Sequence, residues 1–236
     1  MVTVEAPQLI GVGLYTPREA ARFTKLRTGT FNRWFYGDAQ GRPALKPRFD
    51  STAEDRVVTF WDLIQALAVR RVRTSPMGKR ISLQHIRDVV GECEGMGITS
   101  PFARRHTLYW FSDRLILRTD DSRTGGEQYI GLSAGVDKDQ LYHGAIIRPY
   151  LEDVYYGSDK MARRWTALSS ANYRVVLDSD RRFGMPIIEP DGVLVSALID
   201  AIESEGSTQQ AARAFDIRPE AIDLAIKYQE YLSPAA

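Results

Sequence analysis

The residues of this chain best equipped for chemistry form no catalytic set; they are amides, hydroxyls and cations gathered between Lys25 and Arg48. Thr28, Thr30, Asn32 and Arg33 carry groups that can hydrogen-bond base edges when they stand at the start of a helix entering a major groove. Lys25, Arg27, Arg42, Lys46 and Arg48 flank them, and such cations hold phosphate without reading sequence. The competing reading is a structural helical hairpin with a solvated basic face. Catalysis finds less support. His85, His106 and His143 are scattered without metal-ligand spacing, Cys93 has no evident histidine partner, and no serine lies in a nucleophile elbow. "RTGGEQ" precedes a strand, whereas a phosphate-cradling loop should open a helix. Asp178 and Asp180 alternate as a solvent-facing strand edge would, which makes an acid pair the weaker view. The expectation is a binding protein, not an enzyme, with no metal or cofactor.

Two helices must position those groups. In "YTPREAARFTKLRTGTFNRWF", Thr16, Pro17 and Glu19 supply an N-cap, a first-turn proline and a capping-box carboxylate, so a helix starts at Pro17 and buries Ala20, Ala21 and Phe23. A polar turn at Lys25 to Arg27 leads to a second helix with Phe31, Trp34 and Phe35 inward. The alanines permit the close approach that a steep crossing needs, giving helix-turn-helix spacing. Glycines and prolines then break "YGDAQGRPALKPRFD", which suits a short basic hairpin or wing. Thr59 and Asp62 approximate a capping box for a helix burying Phe60, Leu63, Ile64 and Leu67 and ending in Arg70, Arg71 and Arg73. Ser82 caps another, with Ile86, Val89 and Val90 apolar.

Beyond it, "LYWFSDRLILR" and "EQYIGLS" read as two strands about a polar turn, Asp139 to Tyr156 as a helix kinked at Pro149, and "YRVVLDSD" as a strand. Helices are expected at about Val193 to Ser204, Thr208 to Ala214 and Pro219 to Leu232. The fold class is thus α+β and mainly helical: an N-terminal winged helix-turn-helix in 1–100, a short central sheet with a connecting helix in 101–170, and a C-terminal three-helix module in 171–236. No internal repeat is read.

Charge divides the chain. Residues 1–119 hold 19 Lys and Arg against 11 Asp and Glu, which leaves 12 against 19 for residues 120–236, or +8 and −7. A polyanion suits the first half and a basic surface the second. The last helix opens with Pro219, Glu220 and Asp223, which repel phosphate, so partner binding or dimerisation suits it better than DNA. Its apolar candidates are Val193, Leu194, Leu198, Ile202, Ile222, Ile226 and Tyr231. No apolar run reaches the roughly 18 residues of a membrane span, and "MVTVEAPQLI" lacks a signal-peptide layout, so the cytosol is expected.

The opening stretch resembles the MerR-like helix-turn-helix, in which a "TPREAAR" helix precedes a recognition helix ending here in "NRW". With "TFWDLIQALAVRRVR", "ISLQHIRDVV", "SPF", "ARRW", "RRFGMPII" and "STQQAARAFDIRPEAIDLAIKYQEY" in order, nearly the whole chain resembles VapB antitoxins of the mycobacterial type, which join such a domain to a small antitoxin module. That resemblance implies a type II toxin-antitoxin system: neutralisation of a VapC-like PIN-domain ribonuclease and autorepression through operator DNA, with a homodimer as the expected state. The alternative is a stand-alone MerR-like transcription regulator whose C-terminal half dimerises or senses a ligand.

Overall fold

The computed structural model describes residues 12–37, 41–49, 56–74, 81–105, 108–111, 114–120, 127–131, 151 and 153–233. It is mixed α+β, with seven α-helices among the described residues. The chain forms two compact units, one built on Tyr15–Glu152 with Tyr156–Ala162, the other on Arg163–Ala236 with Met1–Leu14 and Asp153–Tyr155. Residues 163–170, grouped with the connecting region in the sequence, thus join the C-terminal unit.

In the N-terminal unit, strand β1 (Leu14–Tyr15) leads into helix α1 (Pro17–Phe23), whose capping box is complete: the Glu19 amide donates to Thr16 Oγ1 (3.2 Å) and the Thr16 amide donates to Glu19 Oε2 (2.8 Å). Helix α2 (Thr28–Tyr36) packs Phe31, Trp34 and Phe35 inward, with the Phe31 and Phe35 rings stacked at 4.8 Å. The expected basic hairpin is not seen as paired strands among the described residues. Gly41 forms a single β-bridge, and Arg42–Phe49 is irregular chain whose Ala44 and Leu45 amides donate to the Trp34 carbonyl (2.7 and 2.9 Å), with both side chains buried. Gly37 makes that return possible, because a Cβ there would lie 2.6 Å from the Gly41 carbonyl at a φ of +74°.

Strand β2 (Val58–Thr59) pairs with β1 and opens helix α3 (Phe60–Thr74), which is buried on nearly every face and forms the core of this unit. Most of its faces are covered, its Asp62 and Gln65 included, as befits a central helix. Helix α4 (Leu83–Gly95) follows its Ser82 cap and buries Ile86, Val89, Val90 and Cys93. Strands β3 (Leu108–Phe111), β4 (Arg114–Asp120) and β5 (Glu127–Gly131) form an antiparallel sheet in that order. Three strands stand where two were expected: "LYWFSDRLILR" folds back on itself, with Phe111 opposite Arg114.

The C-terminal unit carries most of a five-stranded sheet of β6 (Val154–Tyr156), β7 (Ala162–Ser169), β8 (Arg174–Asp178), β9 (Ile187–Glu189) and β10 (Val193–Leu194), ordered β10-β9-β8-β7-β6. Val154–Tyr156 is therefore strand, not the end of a helix from Asp139; residues 139–150 of that expected helix lie outside the described residues. Helices α5 (Val195–Glu205), α6 (Thr208–Ala214) and α7 (Pro219–Leu232) follow, and α7 packs on β8 and β9.

The expectation of no internal repeat is overturned. Thr16–Tyr36 and Ser207–Lys227 share one backbone course: a hydroxyl-capped helix with paired buried alanines, a turn, and a second helix after an arginine N-cap. Both first helices end in a Schellman closure. The Leu26 amide donates to the Ala21 carbonyl (2.8 Å) and the Ile217 amide to that of Ala212 (3.0 Å), while Lys25 (φ +53°) and Asp216 (φ +51°) occupy the same left-handed position. Ala20 and Ala21 are wholly buried in one copy, as Ala211 and Ala212 nearly are in the other.

Candidate nucleic-acid interface

The turn Thr24–Arg27 and the start of α2 form an exposed edge. Thr24 is buried, its hydroxyl donating back to the Ala20 carbonyl (2.7 Å), which fixes the end of α1. Lys25, Arg27, Thr28, Gly29 and Arg33 are exposed, whereas Thr30 and Asn32 are half-buried. Asn32 Oδ1 is enclosed and has no hydrogen-bond partner among the described residues, so this carboxamide is a poorer base reader than its position suggested. Phe31 and Trp34 are core, as their spacing implied.

Arg27 caps α2 by backbone position alone, with no side-chain hydrogen bond to the first turn. The leading amides of a helix have no partner within it and lie at the positive end of its dipole. Gly29 stands in this turn, and a Cβ built on it meets nothing within 4 Å. Neither packing nor conformation demands a glycine there, although it costs the helix roughly 0.5–1 kcal/mol relative to alanine. A minimal side chain beside open amides leaves room for an external backbone or phosphate. Arg18 and Arg22 on α1 are also exposed and extend the cationic edge, as the opening sequence showed without their being singled out.

The loop cations are more occupied than the sequence suggested. Arg42 is exposed, and its carbonyl accepts from Arg87 Nε (2.9 Å). Lys46 lies 3.6 Å from Glu94 in a mostly exposed pair, which contributes little to stability. The Arg48 guanidinium sits 4.1 Å from the Trp61 ring centroid, and its amide donates to Asp62 Oδ1 (3.2 Å). Arg48 thus also anchors the loop to α3. Arg56, not singled out from sequence, lies 4.2 Å over the Tyr36 ring at the end of α2.

Below this layer, Asp62 realises its capping box in the core, accepting from the Thr59 amide (2.9 Å) and hydroxyl (2.7 Å). Burial pushes its carboxyl up to about 6, against the lowering effects of those bonds, the Arg48 amide and the Arg48 charge. Cys93 is buried and its thiol is pushed up to about 12, chiefly by burial and then by Glu92 and Glu94. Little thiolate forms at neutral pH. Among the described residues no group of His, Cys, Asp and Glu could hold a metal ion, and no helix is long and apolar enough to cross a membrane.

The fold has a solved counterpart. Over 90% of this chain and 96% of the other, it is similar to the crystal structure of Rv2018 from Mycobacterium tuberculosis, with a TM-score of 0.60 and 16% identity, a likeness of fold alone. No protein-family model and no curated protein matches the sequence.

The C-terminal candidates separate by burial. Leu198 and Ile222 are wholly buried, so they hold α5 and α7 in place and cannot touch a partner while the unit is folded. Val193, Leu194, Ile202 and Ile226 are half-buried, and Tyr231 is exposed beside the buried Tyr228. Phe215 and Phe183, absent from the candidates, are exposed aromatics of this unit. A groove of about 480 Å³ runs beside the second turn, lined by Tyr173, Pro190, Asp191, Asp216, Ile217 and Arg218.

Proposed function

We propose that the protein is an antitoxin of a type II toxin-antitoxin pair, acting in the cytoplasm as a homodimer that binds its operator through the N-terminal unit and neutralises a VapC-like PIN-domain ribonuclease through the C-terminal one. In this reading Thr16–Tyr36 is a MerR-like helix-turn-helix and the Gly41–Phe49 loop its wing. Arg33 and Thr28 meet base edges, with Thr30 and Asn32 behind them. Lys25, Arg27, Arg42 and Lys46 meet phosphate, while Arg48 steadies the wing. The observation that carries the DNA-binding half is the uncapped first turn of α2, where Gly29 faces open space among exposed cations.

The toxin-binding half rests on the sequence resemblance and on charge. A ribonuclease cleft must attract RNA, so an acidic partner can occupy its cationic rim, and residues 153–155 and 163–236 of this unit hold 8 Lys and Arg against 12 Asp and Glu, or −4. The test is titration of the full chain against duplex DNA from upstream of its gene, and against RNA cleavage by the ribonuclease encoded beside it. Saturable DNA binding with inhibition of cleavage supports the reading; neither effect removes it. The groove beside Asp216 favours the second reading, a stand-alone regulator that senses a small ligand there. DNA binding without any effect on the neighbouring ribonuclease would select it.

A further inference from the structure

Between β8 and β9 the backbone takes a costly course. Arg182 (φ +49°), Phe183 (φ +55°) and Gly184 (φ +81°) are three successive left-handed residues. A bulky aromatic residue there is a genuine outlier, and such conformations persist only where the surroundings over-determine them. Here they do. The Arg181 amide donates to the Asp178 carbonyl (3.1 Å), the Gly184 amide to the Arg181 carbonyl (2.9 Å) and the Met185 amide to the Arg182 carbonyl (3.0 Å). Arg181 Nη1 lies 2.8 Å from Glu189 Oε1, a carboxylate that also holds Arg164. The Arg181 guanidinium rests so close to Gly192 that a Cβ there would lie 2.7 Å from Nη2.

What this scaffold presents is the Phe183 ring, 73% exposed, the largest exposure among the large hydrophobic residues described. An aromatic ring this exposed contributes little to folding, whereas on a constrained backbone it is well placed to meet something outside the chain. We propose that Phe183, with Arg182 beside it, is a pre-organised anchor for a protein partner that offers an apolar pocket bordered by carboxylates. Aromatic residues and arginine dominate the energetics of protein interfaces, and a rigid anchor avoids the entropy of ordering on binding. A polyanion is the poorer occupant. Arg163 is answered by Asp180, and Arg164 and Arg181 by Glu189, which leaves Arg182 as the cation of this cluster with no ion pair among the described residues. One cation is too few to hold a phosphate backbone.

The inference rests on the antitoxin reading, with the neighbouring ribonuclease as the partner and its carboxylate-bordered pocket apart from the cationic rim that the acidic side chains of this unit would meet. The experiment uses the full chain as wild type, Phe183→Ala and Glu189→Gln, titrated calorimetrically against that ribonuclease and against single-stranded RNA, with melting temperatures recorded. Expected are a loss of at least about 30-fold in ribonuclease affinity for Phe183→Ala, a smaller loss of about 3- to 10-fold for Glu189→Gln, and a Phe183→Ala melting temperature no lower than wild type. Ribonuclease binding by the wild type that Phe183→Ala leaves unchanged overturns the anchor and spares the antitoxin reading. Failure of the wild type to bind the ribonuclease overturns both. Loss confined to RNA binding overturns the protein anchor and assigns Phe183 to base stacking.

Discussion

The two copies of the helix-turn-helix course differ where a ligand would meet them. Lys25 in the first copy is Asp216 in the second, Gly29 is Glu220, Asn32 is Asp223, and Thr28, whose amide is a donor, is Pro219, which has none. The buried positions are kept: alanine pairs in the first helices, Phe31 and Ile222 in the second. The same backbone therefore sets the first turn of its second helix among exposed cations in one unit and among carboxylates in the other. Proline removes a donor, and the Glu220 carboxylate occupies the field of the helix dipole. The inward face fixes the fold, and on the proposed reading a few outward positions set the choice of partner.

That contrast predicts unequal consequences of mutation. The largest belong to the shared inward face. Phe31→Ala or Trp34→Ala should cost about 3–5 kcal/mol and Ile222→Ala about 2–5 kcal/mol, read as urea midpoints with hydrogen exchange to separate the units. Undiminished stability in all three would remove the common core.

A pH effect should follow in one unit alone. The folded pKa of Asp62, about 6, lies above its ordinary value, so the folded state holds a proton that the unfolded chain has released. The stability this confers is fully present below pH ~4 and is lost as pH rises through about 6, on the order of 3 kcal/mol at most. Among the described residues no carboxylate is buried in the C-terminal unit. Asp62→Asn should flatten the profile between pH 4 and 7 in the N-terminal unit; a profile unchanged by that substitution would contradict the assignment.

Smaller effects separate fold from binding. Glycine at the left-handed positions should stabilise both copies, Lys25→Gly by about 0.5–1 kcal/mol and Asp216→Gly by less, because aspartate tolerates that conformation better than lysine. Only the first should also weaken DNA binding. Gly29→Ala should raise stability by about 0.5–1 kcal/mol while lowering affinity for duplex DNA. Equal affinity would mean that nothing approaches that turn.

How far the sequence disclosed all this depends on the range of the forces involved. Local signals sufficed for α1, α6 and α7, whose limits follow from Thr16 with Pro17, Ser207 and Pro219. They failed at Val154–Tyr156, where apolar spacing continued the pattern of a helix although "VYYG" suits a strand running into a turn. The repeat is hard to read in the sequence because, apart from the alanine pairs and Arg22 and Arg27 with their counterparts Arg213 and Arg218, most of its residues change type or charge. At the candidate interface the exposed Lys25, Arg27, Thr28 and Arg33 were legible from spacing. The attachments of Lys46 to Glu94 and of Arg48 to Trp61 were not, since they join segments distant in sequence.

The central claim is that the first copy meets DNA and the second does not, and it is tested most directly by the salt dependence of duplex binding in three full-length proteins: wild type, Arg27→Ala/Arg33→Ala and Glu220→Ala/Asp223→Ala. Removing a cation that neutralises one phosphate should reduce the slope of log affinity against log salt by about 0.9. The account predicts a weaker affinity for the first double variant and a slope shallower by about 0.9, from the phosphate contact of Arg27, with wild-type behaviour for the second. An unchanged slope for Arg27→Ala/Arg33→Ala, or tighter and steeper binding on removing Glu220 and Asp223, would contradict it.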